Sequence, residues 1–294
     1  MGLKIQFIGA TGTVTGSKYL LTLNQKHVLI DCGLFQGLKD LRLKNWEPLP
    51  VDPKNIEAVI LTHAHLDHSG YLPVLIKNGF RGKIYTTLAT HALCGILLPD
   101  AGYLEEEEAA FMNKHQLSRH NPALPLFTEA DARASLRYFE TIPWKQKTAL
   151  SNELSFMFHP AGHILGASII QIFANGRTIT FSGDLGRQKT LTIAPPEIIR
   201  TTDYLVVEST YGNRCHPKED PKETLKRIVN ETILRKCVLL IPAFAVGRAQ
   251  QLLFLLSQLK KSGEILPLPI YLNSPMATEA TRIFCEFDKE QALT

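Results

Sequence analysis

The sequence predicts an α/β protein in two parts, a strand-rich part over residues 1–210 and an alternating helix–strand part over residues 211–294. Three observations carry this reading. Short β-branched and aliphatic runs, bounded by Gly, Asn and Asp, recur as far as Val207. The apolar run Ile56-Glu57-Ala58-Val59-Ile60-Leu61 leads almost directly into His63-Ala64-His65-Leu66-Asp67-His68, so a strand delivers ligand-type side chains at its tip. After Tyr211-Gly212 the texture changes to apolar faces at helical spacing, separated by short apolar runs. A chain of 294 residues, 45% hydrophobic and 20% charged, has ample material for one large core or two ordinary ones.

Along the chain, Lys4–Ile8, Lys18–Leu23 and His27–Asp31 read as strands, with Asn24-Gln25-Lys26 as a turn. Between the first two lies Gly9-Ala10-Thr11-Gly12-Thr13-Val14-Thr15-Gly16, which has the look of a dinucleotide-binding loop. Such a loop opens a helix whose N-terminus faces the pyrophosphate. Here it leads into Tyr19-Leu20-Leu21-Thr22-Leu23, another strand, and the nucleotide reading is rejected. The histidine-rich loop turns into an apolar helix carrying Leu72, Val74, Leu75 and Ile76. Leu88–Tyr138 is mainly helical in pattern, broken at Asn121-Pro122 and Leu124-Pro125, and its Glu105–Glu108 run reads as a solvated face. Strands return at Glu153–His159, Ser168–Phe173, Thr178–Phe181 and Tyr204–Val207. In the second part Asp220 is an N-cap, Pro221 the first helical residue, and Glu223 completes a capping-box spacing. Leu225, Ile228, Val229 and Ile233 form the apolar face of that helix. A strand (Cys237–Ile241), a helix (Val246–Leu259) and a strand (Pro269–Asn273) follow, with no internal repeat.

A formal net charge of +4 permits an anionic substrate without pointing to nucleic acid. No apolar run reaches membrane-spanning length, and Met1-Gly2-Leu3-Lys4-Ile5 lacks a signal-peptide pattern. Cys32, Cys94, Cys215, Cys237 and Cys285 are odd in number, widely spread and mostly in apolar contexts, which reads as reduced, buried cysteines of a cytoplasmic protein.

Neutral imidazoles and carboxylates are the ligand types that suit zinc. So short a segment cannot bring all four of its ligand-type side chains to one ion. His63 and His65 alternate along extended backbone and are placed to share one; Asp67 and His68 sit where the chain turns into helix and are placed to face a second. Two adjacent metals point to metal-assisted hydrolysis. Two glycine-flanked turns after strands offer more: Ala161-Gly162-His163-Ile164-Leu165-Gly166 and Phe181-Ser182-Gly183-Asp184-Leu185-Gly186. Each alone reads as an ordinary turn.

Taken together, the order Asp31, then His63-Ala64-His65-Leu66-Asp67-His68, then His163, then Asp184 resembles the metallo-β-lactamase superfamily. Three further segments resemble its β-CASP branch: Val206-Val207-Glu208-Ser209-Thr210-Tyr211-Gly212, Ile241-Pro242-Ala243-Phe244-Ala245-Val246-Gly247-Arg248-Ala249-Gln250, and Asn273-Ser274-Pro275-Met276-Ala277. That branch comprises RNA- and DNA-processing nucleases related to the endonuclease subunit of the messenger-RNA 3′-end cleavage machinery. The likeness runs from the first strand to about Ala277. It implies an αββα sandwich followed by an α/β β-CASP domain. Carried over by position, it implies that His63, His65 and His163 hold one Zn2+, that Asp67 and His68 hold another, and that Asp184 bridges both. Asp31 then orients the histidine loop, and Glu208 helps to position a catalytic group, so that Asp67, Asp184 and Glu208 are the expected catalytic carboxylates. His27, His91, His115, His120, His159 and His216 match no ligand position and are expected to be structural. The implied activity is zinc-dependent hydrolysis of phosphodiesters in single-stranded RNA, with Arg248 and, more weakly, Ser274 as substrate contacts, a homodimer allowed, and no membrane.

The chain departs from the family's pattern in one respect. In β-CASP enzymes the second domain is an insertion, after which the chain returns with closing strands and two further histidines. This sequence stops at Thr294, and no histidine follows His216. The expectation is a fragment, with the C-terminal strands of the sandwich missing, a second zinc site limited to Asp67, His68, Asp184 and water, and poor activity. Two other functions compete. A thioester or lactone hydrolase of the same superfamily would share the histidine motif but lack the Glu208 and Pro242–Gln250 segments. A non-catalytic subunit that binds RNA or protein is the other.

Overall fold

The computed structural model of the chain describes residues 2–188, 190–215 and 219–287; His216 lies outside them. The chain divides into two compact units, one of Met1–Gln188 with Pro195–Glu208 and the other of Lys189–Ala194 with Ser209–Thr294.

The first unit is built on two sheets. Six strands in sequence order make the first: β1 (Leu3–Phe7), β2 (Tyr19–Leu23), β3 (Lys26–Ile30), β4 (Ile56–Ile60), β5 (Lys83–Thr86) and β6 (Phe139–Thr141). The β1–β2 and β2–β3 pairs are antiparallel. Asn24 and Gln25 close the β2–β3 hairpin with φ of 50° and 68°, the left-handed pair that matches strand twist in a two-residue turn. From β3 to β6 the strands run parallel. The crossovers carry α1 (Lys39–Leu43), then α2 (Leu66–Ser69) and α3 (Leu72–Lys77), then α4 (Leu88–Lys114) and α5 (Glu129–Ser135). Because β1 leads straight into β2, the glycine-rich loop between them opens no helix.

The second sheet has the order β11-β10-β9-β8-β7, from β7 (Thr148–Ala149), β8 (Leu154–Pro160), β9 (Ser168–Ala174), β10 (Arg177–Phe181) and β11 (Tyr204–Val206). Alternation places Phe156 and Phe158 of β8, Ile170 and Ile172 of β9, and Ile179 and Phe181 of β10 on one face. They pack in one cluster with Leu21, Val28, Ile30, Ala58 and Ile60 of the first sheet. Each of these is fully or almost fully withdrawn from water, which stabilises the sandwich by roughly 1.5–3 kcal/mol per large aliphatic or aromatic side chain. Within the first sheet β3 and β4 run parallel, and within the second β8, β10 and β11 run in one direction, so in each sheet the turns that follow these strands lie at one edge.

The Glu105–Glu108 run does more than face solvent. Glu105 Oε2 accepts the Leu126 N–H at 3.2 Å, and Glu106 Oε2 accepts the Glu129 N–H at the first turn of α5 at 2.8 Å. The second of these satisfies a backbone donor that has no intrahelical partner at the start of α5, and the first holds the chain leading to it. Lys18, 2% exposed, lies with its Nζ 4.6 Å from the ring centroids of both Phe35 and Tyr71, and burial pushes it down to about 8.

In the second unit α6 (Pro221–Leu234), α7 (Arg248–Lys261) and α8 (Pro275–Glu286) are the helices among the described residues. Leu225 and Val229 of α6 pack with Leu255, Leu256 and Leu259 of α7 and with Ile265. Asp220 caps α6 by accepting the Lys222 N–H at 2.8 Å. The expected capping box does not form, because Glu223 instead pairs with Lys226 at 2.7 Å. Cys237–Ile241 and Pro269–Asn273, expected as strands, form no paired strand among the described residues. A strand needs a ladder partner as well as an apolar sequence. Without one, Val238, Leu240 and Tyr271 are 94%, 86% and 86% exposed.

The cysteines are free, but the expectation of general burial is corrected: Cys32 and Cys94 are buried, whereas Cys215, Cys237 and Cys285 are exposed. Among the described residues no helix is long and apolar enough to cross a membrane.

Candidate metal centre

The backbone after β4 delivers the centre. Leu61 N–H bonds to the Tyr85 carbonyl and Thr62 N–H to Asp31 Oδ1 at 2.7 Å, which holds the chain extended to the start of the histidine loop. His65 then stands at the N-cap position of α2, and Asp67 and His68 fall in that single turn. His163 follows β8 in a turn where Gly162 and Gly166 have φ of 65° and 76°; Asp184 follows β10 after Gly183, at 54°. Left-handed backbone of this kind is where glycine is needed.

The side chains converge. Ligand atoms of His63, His65, His163 and Asp184 all lie within 4.8 Å of one another. His163 Nε2 is 3.1 Å from His65 Nδ1 and 3.4 Å from Asp184 Oδ2, and His63 Nε2 is 3.8 Å from the same oxygen. Zinc–ligand bonds of about 2.0–2.1 Å in a tetrahedron put neighbouring ligand atoms roughly 3.3 Å apart. His63 Nε2 is buried with no hydrogen-bond partner. An orphaned imidazole nitrogen facing two others and a carboxylate fits a cation at their centre. The other Asp184 oxygen turns the opposite way: Oδ1 is 3.2 Å from His68 Nε2, and Asp67 Oδ2 is 3.7 Å from that nitrogen. Asp184 therefore lies between two groups of potential ligands.

Electrostatics follow from burial and crowding. Burial pushes the His63 imidazole well below its usual range, and the neighbouring His68, His65 and His163 push it further. Burial and then His163 bring His65 down to about 3. Both are thus neutral, the state that offers a nitrogen lone pair. His68 goes the other way: burial opposes its charge, but Asp31 and Asp184 outweigh it and hold it well above the ordinary value. Burial alone would raise Asp184, yet the His68 hydrogen bond and the surrounding imidazoles keep it at about 2.

Asp31 is 1% exposed and lies under the loop, accepting from Thr62 N–H and Thr62 Oγ1 and meeting His68 Nδ1 at 2.7 Å. Sequence reading missed Thr62. Its hydroxyl contacts Asp31, His63 Nδ1 at 3.0 Å and His68 Nδ1 at 3.4 Å, so one side chain ties the carboxylate to two imidazoles and leaves their Nε2 atoms facing Asp184. A polar residue directly before the histidine motif, at the end of a buried strand, was the available signal. Glu208 sits against the Asp184 turn: its N–H bonds to Ser182 Oγ at 3.0 Å and its Oε1 accepts the Leu185 N–H at 3.4 Å.

Arg248 and Ser274 belong to the second unit. Arg248 opens α7 and bonds Gln251 Oε1 at 3.1 Å. Ser274 caps α8 by accepting the Ala277 N–H at 3.1 Å, which gives it a helix-capping place in the fold. Of the remaining histidines, His159 lies 3.4 Å from Glu197 and His27 Nδ1 is 3.0 Å from Thr22 Oγ1.

Residues 11–213 match the family model of the metallo-beta-lactamase superfamily. The chain belongs to that superfamily. Residues 249–293 match the Beta-Casp domain model, which places the chain in the β-CASP branch. Ribonuclease TTHA0252 of Thermus thermophilus is 36% identical over 284 residues, covering 96% of this chain and 61% of that protein. Cleavage and polyadenylation specificity factor 73 of Drosophila melanogaster is 31% identical over 286 residues, covering 96% of this chain and 40% of that protein. The transcription termination factor FttA of Lokiarchaeum sp. is 30% identical over 289 residues, with 96% and 43% covered. The chain thus spans 61% or less of the length of these relatives. A crystal structure of a protein of unknown function from Enterococcus faecalis superposes with a TM-score of 0.54 at 18% identity, covering 96% of this chain and 68% of that one, a likeness of fold.

In this branch member, glycines set how closely the His163 and Asp184 turns approach. A Cβ on Gly186 would stand 1.6 Å from the Gly162 carbonyl oxygen, so the His163 and Asp184 turns touch through a bare backbone. Gly186→Ala is expected to force those turns apart and to weaken metal binding, read by zinc titration, by about 10–100-fold, as loss of a supporting contact does, with the far-ultraviolet circular dichroism unchanged. Undiminished zinc affinity would show that the turns have slack.

Proposed function

We propose that the chain carries the zinc-binding catalytic half of a phosphodiester hydrolase acting on single-stranded RNA. The observation that supports this most directly is the convergence of His63 Nε2, His65 Nδ1, His163 Nε2 and Asp184 at the spacing of a tetrahedral cation site. Three neutral nitrogens and one carboxylate favour zinc over magnesium or calcium, which take oxygen ligands. On this reading His63, His65 and His163 hold one ion, Asp67 and His68 a second, and Asp184 lies between them. When bound, zinc supplies a strongly acidified water and a Lewis acid for the phosphoryl oxygens. The chain's own residues do the positioning. Asp31 and Thr62 fix the imidazoles from below, and Glu208 braces the Asp184 turn. Arg248, exposed at the start of α7, offers a fork of donors to an RNA phosphate, and Ser274 stands as a weaker candidate contact. Residues 1–210 then form the metallo-β-lactamase domain and 211–294 part of the β-CASP domain. The names of the relatives, a ribonuclease and a cleavage factor among them, favour RNA over a thioester or lactone. A cytoplasmic location and a homodimer are compatible with this reading.

The test is cleavage of a labelled single-stranded RNA by the purified, zinc-loaded chain, beside His63→Ala and beside a thioester substrate. Weak cleavage of RNA alone, lost in the variant, is the expected result. Cleavage that survives the substitution, or thioester hydrolysis in its place, would overturn the proposal.

A further inference from the structure

The side of the centre formed by Asp67, His68 and Asp184 is poor in groups that can donate a hydrogen bond. Asp67 and Asp184 are carboxylates, and His68 Nδ1 is engaged by Asp31 at 2.7 Å. A phosphate approaching that side needs a donor that is not itself negative.

Tyr19 is placed to be that donor. It opens β2, paired with Phe7 on one side and Ile30 on the other, and Ile30 immediately precedes Asp31. Its ring packs edge-on against Phe7 at 5.5 Å and tilted against Phe181 at 5.6 Å, three residues before Asp184. The ring is thereby fixed between the two sheets at the end where Asp31 and Asp184 leave them. The phenol oxygen is 3.3 Å from Ser17 Oγ, and the Ser17 N–H bonds to the Asp67 carbonyl at 2.8 Å. Burial pushes the phenol up, and the charges of Asp31 and Asp184 add to it, so both carboxylates are within electrostatic reach. Ser17 Oγ donates to the phenol oxygen, which leaves the Tyr19 O–H to donate elsewhere. Tyr19 as a whole is half-buried.

We propose that Tyr19 is a phosphate-binding residue, its hydroxyl donating to an oxygen of a phosphate held on the Asp67–His68–Asp184 side of the centre. The inference rests on the zinc-dependent reading above and adds a substrate contact to it. Tyr19→Phe is the discriminating variant, because it keeps the ring packing on Phe7 and Phe181 and removes only the oxygen. Inorganic phosphate is titrated calorimetrically into the zinc-loaded full chain, the variant and His63→Ala, with zinc content and thermal midpoint measured on each. The expected result is unchanged zinc content and midpoint in Tyr19→Phe, with phosphate Kd raised about 10-fold or more, the size of a lost hydrogen bond to a charged group. Equal, zinc-dependent phosphate affinity in parent and Tyr19→Phe would overturn this inference alone. Phosphate affinity indifferent to zinc and to His63→Ala would overturn the metal reading and this inference with it.

Discussion

The 294-residue chain is expected to hold one zinc ion tightly and a second one weakly. Around the first position stand three imidazoles and Asp184, a full set for tetrahedral zinc, with nitrogen and oxygen atoms already near the required spacing. Around the second stand only Asp67, His68 and a share of Asp184, one imidazole against three at the first. Metal analysis after dialysis against graded chelators should therefore give close to one equivalent over a wide range, and approach two only at high free zinc. His163→Ala should empty the tight position, with a loss of affinity beyond the about 10–100-fold that follows from removing a mere supporting partner. Two equally tight equivalents would mean that the second position has a ligand not recognised here. None would remove the metal from the picture altogether.

Asp31→Ala should be the most damaging change at a residue that is not itself a proposed metal ligand. The carboxylate is 1% exposed and serves Thr62 N–H, Thr62 Oγ1 and His68 Nδ1 at 2.7–2.9 Å. Deleting it leaves a buried amide donor and a buried imidazole without partners, and breaking a buried ionic pair in this way costs about 3–5 kcal/mol. The backbone adds to it, since Asp31 sits at φ 57°, a left-handed conformation that aspartate tolerates better than alanine. Denaturant unfolding of the metal-free variant should show this loss directly, and zinc affinity should fall with it. A loss below about 1 kcal/mol would mean that water or Thr62 takes over the carboxylate's contacts.

The histidine loop was legible because strand alternation and the following turn lie within six consecutive residues, His63 to His68. His163 and Asp184 were harder: each sits in a glycine-flanked turn that looks ordinary on its own, and the order of the whole ligand set, matched by resemblance, singled them out. Thr62 and Tyr19 escaped notice for a physical reason. A threonine and a tyrosine at strand ends are what any sheet would contain, and their role appears only when distant strands bring Asp31 and Asp184 beside them. The second part of the chain was read less well. Val238, Leu239 and Leu240 have the composition of a buried strand, but hydrogen-bond pairing is a property of two segments and is invisible in one. At α6 the capping-box spacing of Asp220 and Glu223 was present, yet Lys226 one turn on offered the glutamate a competing charge.

The proposed zinc cluster joins His65 and His163, 98 residues apart along the chain and in turns that follow strands of different sheets. An ion seated there would act as a clasp across the sandwich. It would bind the folded chain in preference to the unfolded one, so the free zinc level would enter the stability directly, by about 2.7 kcal/mol when zinc stands at 100 times its Kd. The lifetime of the folded protein in a cell would then track metal supply. Scarcity of zinc would silence the site and, in the same stroke, expose the chain to proteases.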